Sequence, residues 1–179
     1  MQDATGADLK FVFEYVKQRR GMSGVRAMLA SLNKPTILFG SIGEIKGSQL
    51  YPETIYKKVI ETAAAVLGGD PKTRMNQIGY ALGDRAKMTR FIAKFSTPRQ
   101  LLRLIEDAII TDVPYVKTSL REASKHIMIL TVTARKDGEQ FLDVADGYVS
   151  AILDQSNKAI SPSEKISEKG EIAYKFVLS

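Results

Sequence analysis

The chain has 179 residues, 44% of them apolar and 26% charged, enough to build one well-buried core in a soluble globular domain. It has no cysteine and one histidine, His126, which excludes disulfides, thiolate metal sites, cysteine nucleophiles and most zinc chemistry. A formal net charge of +6 permits an acidic partner without demanding one. No apolar run reaches the roughly 20 residues needed to span a bilayer. Met1-Gln2-Asp3 leads into no basic and then apolar stretch, so the expected location is the cytoplasm.

The first half has helical periodicity. Leu9, Val12, Phe13 and Val16 form an apolar stripe behind Asp8 as its cap, and a second stripe runs from Ser23 through Val25, Met28, Leu29 and Leu32 to stop before Pro35, giving a helical hairpin. Residues 36–50 carry Gly40, Gly43 and Gly47 without a sustained period and read as a loop, with one short turn or strand over residues 36–39. Pro52-Glu53 opens a helix that Gly68-Gly69 closes, its face made by Ile55, Val59, Ile60, Ala63, Val66 and Leu67 with Tyr56 at the edge. Asp70-Pro71 starts the next, through Met75, Ile78, Leu82, Met88, Phe91, Ile92 and Phe95, with a bend expected near Gly79 or Gly83. Thr97-Pro98 begins the last helix of this half, with Leu101, Leu102, Leu104, Ile105, Ala108 and Ile109 on one face and Pro114 beyond its end.

The period then changes. Residues 126–135 are rich in β-branched types and read as a strand, with neighbours at Tyr115 to Leu120 and, after a Lys169-Gly170 turn, at Ile172 to Leu178. Between them lies a helix marked by Phe141, Leu142, Val144, Ala145, Tyr148, Val149, Ile152 and Leu153, then a short broken strand over residues 159–167, where Pro162 fits an edge. The predicted class is α+β: an N-terminal helical layer, residues 1–112, packed on a C-terminal antiparallel sheet of ββαββ order, residues 113–179, in a single domain.

Several constellations have residue types that could carry chemistry. Residues 40–48 have the flavour of a phosphate loop, but the lysine precedes its glycine and no strand leads cleanly into a helix carrying it. His126 has no Gly-x-Ser-x-Gly partner and stands at the mouth of a strand, so a surface or edge histidine is the plainer reading. Glu106-Asp107 and the pair Asp143 and Asp146 are spaced for a solvated helix surface. With no nucleophile, base or metal-ligand set at plausible spacing, no catalytic residue is assigned and an enzyme is not expected. Lys87, Arg90, Lys94, Arg99 and Arg103 form a run of cations without an intervening acid, but the aromatic interleaving of a nucleic-acid platform is missing and a solvated helix face is preferred. In Thr131-Val132-Thr133-Ala134-Arg135, alternation puts two hydroxyls and a guanidinium on one strand face, a row able to grip a carboxylate or phosphate. Spacing alone reads this more simply as a solvent face ending in an arginine.

The order of these pieces gives a resemblance. The helix ending in Gly68-Gly69, the Ile78-Gly79-Tyr80-Ala81-Leu82-Gly83 segment, Phe95-Ser96-Thr97-Pro98-Arg99 and Thr131-x-Thr133-x-Arg135, with a following Gly147-Tyr148-Val149 helix, resemble the haem-nitric oxide/oxygen binding (H-NOX) superfamily. That superfamily includes the four-vinyl-reductase domain and the transport-protein-particle subunits. In the haem sensors Tyr-x-Ser-x-Arg holds the haem propionates, and a proximal histidine lies on the helix that here runs from Pro98 to Thr111. This helix has no histidine, and Thr131 stands in place of the tyrosine.

The resemblance therefore implies the fold without its haem: no cofactor and no metal, and a cavity between helices and sheet for a small apolar or amphipathic molecule with an anionic end. Its ligand-binding residues would be Thr131, Thr133 and Arg135, and its output a signalling partner protein or a homodimer. The alternative is a structural adaptor like the transport-protein-particle subunits, with the cavity filled by side chains.

Overall fold

A computed structural model of the chain describes residues 4–34, 38–85, 96–156 and 160–178. Lys87, Arg90 and Lys94 of the cationic run, and Met88, Phe91, Ile92 and Phe95 of the fourth stripe, lie outside the described residues. The architecture is α+β, with an N-terminal helical part and a C-terminal four-stranded antiparallel sheet in ββαββ order, as expected. The chain divides into two compact units, Met1–Ile78 and Gly79–Ser179. Among the described residues no helix is long and apolar enough to cross a membrane.

In the first unit a two-residue strand, β1 (Ala4–Thr5), pairs antiparallel with β2 (Leu50–Tyr51). Helix α1 (Gly6–Leu32) starts earlier than the apolar stripe suggested. Thr5 is the cap and Asp8 its reciprocal partner, each side chain bonding the other's backbone N–H. Gly6 is required here because a Cβ would stand 2.0 Å from the carbonyl oxygen of Lys46. The break between the two predicted helices falls at Gly21, whose φ of 65° interrupts α1, and the Ser23 hydroxyl donates to the Arg20 carbonyl at 2.8 Å instead of capping a new start. Asn33 ends α1, its side chain accepting from Leu38 N and Phe39 N and donating to the Phe39 carbonyl.

Helix α2 (Glu53–Leu67) packs on α1, and Lys58 Nζ donates to the Leu32 carbonyl at 2.8 Å, placing a cation where the α1 dipole is negative. The buried face of α2 is rotated from the expected one: Tyr56 is in the core, and Ile55 and Val66 sit at its margins. The phenol carries enough apolar area to take a core position. Gly68 closes α2 at φ 69°, and Asp70 caps α3 (Pro71–Arg85) by accepting from Thr73 N at 2.8 Å.

Helix α3 continues through Gly79 and Gly83. Both glycines face α5 (Phe141–Gln155), where a Cβ on Gly79 would lie 1.9 Å from the Val144 carbonyl oxygen and one on Gly83 2.9 Å from the Tyr148 carbonyl oxygen. Their missing side chains let two helices touch by backbone. Helix α4 (Pro98–Asp112) opens with a capping box between Thr97 and Gln100 and buries Leu101, Leu102, Ile105 and Ile109.

The sheet runs in the order β3-β4-β6-β5, made by β3 (Val116–Ser124), β4 (Ile127–Ala134), β5 (Glu164–Glu168) and β6 (Glu171–Val177). β5 begins after Pro162 and forms one edge, so the proline's missing donor costs the ladder nothing. Leu130 pairs with Leu120 and Tyr174, and Val132 with Thr118 and Ile172, so these side chains share one face. Helices α4 and α5 cover that face: Tyr174 donates its hydroxyl to Asp146 of α5, and Thr118 lies against Glu106 of α4.

Candidate functional site

Thr131 and Thr133 project to the face opposite Leu130 and Val132, as strand alternation requires. On that face Thr131 stands between Ser119 and Ala173, and Thr133 between Lys117 and Glu171. Both threonines are half-buried. The Thr133 hydroxyl donates to Glu171 Oε2 at 3.3 Å, so one carboxylate already shares the row. Arg135 lies one residue beyond β4 and is pinned to the start of β3: its backbone N–H donates to the Tyr115 carbonyl at 2.7 Å and its Nε to the Val116 carbonyl at 3.2 Å. The three predicted residues are thus successive positions along one strand and its exit, with Lys117 the nearest cross-strand cation and Arg135 anchored by the chain rather than swinging freely.

The turn joining β3 and β4 places a second group of polar side chains together, one that spacing along the chain did not reveal. Thr97, Pro98 and Arg99 at the start of α4, Lys125 and His126 in the turn, and Leu178 after β6 line a groove of about 450 Å³. Arg99 binds both carboxylate oxygens of Glu122, at 2.7 and 2.9 Å, and also donates to the Lys125 carbonyl at 2.5 Å. That bidentate pair holds the Glu122 carboxyl below its ordinary range. His126 is exposed at the turn, as an edge histidine, with Nδ1 3.2 Å from the Leu178 carbonyl oxygen. The only sequence signal for this group was the cationic run, of which Arg99 and Arg103 are the described members.

Two other readings resolve differently. In the glycine-rich loop the Gly40 amide donates to Glu44 Oε2 at 2.8 Å, so an amide that a phosphate would use is bonded to the chain's own carboxylate. The acidic positions expected to be solvated are partly structural: Glu106 Oε1 accepts from the Leu120 amide on edge strand β3 at 2.8 Å, and Asp146 Oδ1 accepts from both Tyr174 and Lys165.

Among the described residues, α4 does not supply the histidine that a haem iron would need. The buried side chains of α4, Leu101, Leu102, Ile105 and Ile109, are hydrocarbon and cannot ligate iron, and its two half-buried carboxylates, Glu106 and Asp112, are bonded to the Leu120 amide and the Tyr148 hydroxyl. The sole histidine is on the β3–β4 turn and not on that helix. Among the described residues no group of three His, Asp or Glu side chains is placed to hold a metal ion.

The fold is that of H-NOX proteins. An H-NOX protein from S. oneidensis in the Fe(II) ligation state superposes with a TM-score of 0.67 at 14% identity, covering 98% of this chain and 96% of that one. An Fe(II) unliganded H-NOX protein from K. algicida gives 0.65 at 13% identity, covering 98% and 97%. An oxygen-binding H-NOX domain related to soluble guanylate cyclases gives 0.60 at 10% identity, covering 97% and 93%. No protein-family model and no curated protein matches the sequence. At such identities the likeness is one of fold.

Proposed function

We propose that this chain is a sensory domain that binds a small apolar or amphipathic molecule with an anionic group, without haem, and signals through a partner protein or its own dimer. The observation that carries the reading is α4: an H-NOX fold matched along nearly its full length, in which the helix facing inward with Leu101, Leu102, Ile105 and Ile109 has no iron ligand. A fold built around a guest, once it lacks the donor for an iron, suits an organic guest better than a metalloporphyrin. The Arg135 guanidinium is the head-group contact in this reading, since it supplies a charge-assisted fork at a position fixed by the Val116 carbonyl. Thr131 supplies a hydroxyl donor beside it, and Thr133 one that turns from Glu171 to the ligand. No step of bond making or breaking is assigned, so the reading is of a binding domain and not of an enzyme.

The test is the small-molecule content of the purified protein, read by mass spectrometry after denaturation, for wild type and Arg135→Ala. Wild type is expected to release an organic anion, and the variant to release much less while keeping its circular dichroism spectrum. Equal content in both removes Arg135 from the site. An empty wild-type protein favours the adaptor reading.

A further inference from the structure

We propose that the free edge of β5 is the docking site for a partner protein, which adds an extended segment to the sheet, with a lysine or arginine opposite Glu168 and an apolar side chain opposite Ile166. The surface serves the signalling partner of the function proposed above. Its affinity for a strand does not depend on the Thr131, Thr133 and Arg135 row.

The two edges of the sheet are treated differently. At β3 the Leu120 amide is taken by Glu106 of α4 at 2.8 Å, and the ladder to β4 shifts register between Glu122 and Ser124, two devices that blunt an edge. Among the described residues nothing comparable closes β5, and all five of its residues are exposed. Lys165, the charge that would guard this edge, is turned to the helix side of the sheet and held by Asp146 Oδ1 at 2.6 Å.

The backbone of β5 is arranged to receive a strand. The Lys169-Gly170 turn makes Glu168 and Glu171 the closing pair of the β5–β6 hairpin. The turn bonds that pair, and alternation along the ladder then turns the main-chain groups of Ile166 and Glu164 toward β6 as well. The N–H and C=O groups of Lys165 and Ser167 are left pointing outward, at the spacing that an added strand pairs.

The side chains on the open face select the strand. Glu164, Ile166 and Glu168 share that face with Ala173 and Thr131, and Ile166 is 47% exposed. Glu164 is paired with Lys175 at 3.3 Å, whereas Glu168 stands directly opposite Glu171, two like charges that repel across the ladder. Among the described residues no cation pairs with either, and Glu171 has only the Thr133 hydroxyl. A basic side chain beside Glu168 relieves the repulsion, and an apolar one two residues along covers Ile166. A second copy of this chain does not fit. Antiparallel two-fold pairing of β5 centred on Lys165 sets that lysine against its own copy, pairing centred on Ile166 sets Glu164 against Glu168, and pairing centred on Ser167 sets Lys165 against Lys169.

The probe is a short fluorescein-labelled peptide with lysine and valine alternating on one strand face and threonine on the other; its control has glutamate for lysine. Anisotropy is expected to show saturable binding of the lysine peptide that weakens with salt, and none of the control, with amide NMR shifts centred on β5. Ser167→Pro removes an outward N–H and leaves the ladder to β6 whole, so it is expected to weaken binding about tenfold or more with an unchanged circular dichroism spectrum. Glu168→Gln, which disturbs no backbone bond, is expected to weaken binding severalfold and to flatten its salt dependence. Equal binding of the two peptides, shifts confined to other elements, or an affinity unaltered in both variants overturns the docking site. A dimer of the free protein that Ser167→Pro dissociates in sedimentation assigns the edge to a second copy and overturns the partner. Small-molecule content is read on the same preparations. An empty protein that binds the lysine peptide removes the ligand reading and leaves this surface standing, and a filled protein that does not bind it does the reverse.

Discussion

Tyr174 on β6 donates its hydroxyl to Asp146 on α5 at 2.8 Å, joining the helix face of the sheet to the helix that covers it. Lys165 of the edge strand closes on the same carboxylate oxygen at 2.6 Å. Tyr174 is only 2% exposed, and burial, followed by the charge of Asp146, pushes its phenol far above the ordinary 10.0.

Tyr174→Phe is expected to cost about 1 kcal/mol at neutral pH, the net worth of one hydrogen bond, since Asp146 keeps Lys165 as a partner. The phenol stays protonated in the fold while the unfolded chain ionises it. Its stability contribution is therefore fully present below about pH 10 and is lost as the pH rises further. Urea denaturation from neutral to alkaline pH should show the gap between wild type and variant narrowing as the pH climbs. Parallel curves contradict this account of the buried pair.

Gly79→Ala sets two effects against each other. Alanine gains about 1 kcal/mol of helix propensity over glycine. Its Cβ, however, meets the Val144 carbonyl oxygen at 1.9 Å, and backbone cannot yield as a side chain does. Overpacking of this kind costs about 1–3 kcal/mol or more, so net destabilisation is expected. Gly83→Ala, with its nearest contacts at 2.9 Å, should be milder. Denaturation midpoints check the order, and a stabilised Gly79→Ala protein shows that α3 and α5 do not approach as described.

What could be read in the sequence follows from period and punctuation. Thr97-Pro98 announced α4 because a capping hydroxyl and a preset φ are local signals, and residues 126–135 announced β4 because β-branched alternation is a local pattern. β1 and β2 were invisible, since two-residue strands have no period and their pairing joins residues far apart along the chain. Thr5 was missed for a related reason: Asp8 is also a common cap, and only the bond between the two residues tells which is outside the helix. The face of Thr131 and Thr133 was legible from alternation, but the Glu171 contact and the anchoring of Arg135 on Val116 are cross-strand facts. The groove at His126 gathers residues from three stretches of chain, so no spacing rule could have found it.

Thr97→Ala removes the hydroxyl that accepts from Gln100 N at 3.3 Å and is expected to cost about 1 kcal/mol. Gln100→Ala loses only the return bond to the Thr97 amide, 2.9 Å long, and should cost less. Thermal denaturation followed by circular dichroism compares the two. Equal or reversed costs argue that this end of α4 is held by tertiary packing and not by its cap.

Haem titration of the purified wild-type protein, followed by absorption spectroscopy, tests the central claim most directly. The account predicts no saturable Soret band at one haem per chain, because α4 carries no histidine and its buried side chains, Leu101, Leu102, Ile105 and Ile109, are hydrocarbon. A stoichiometric Soret band that survives gel filtration contradicts it and means that a residue other than one on that helix ligates the iron.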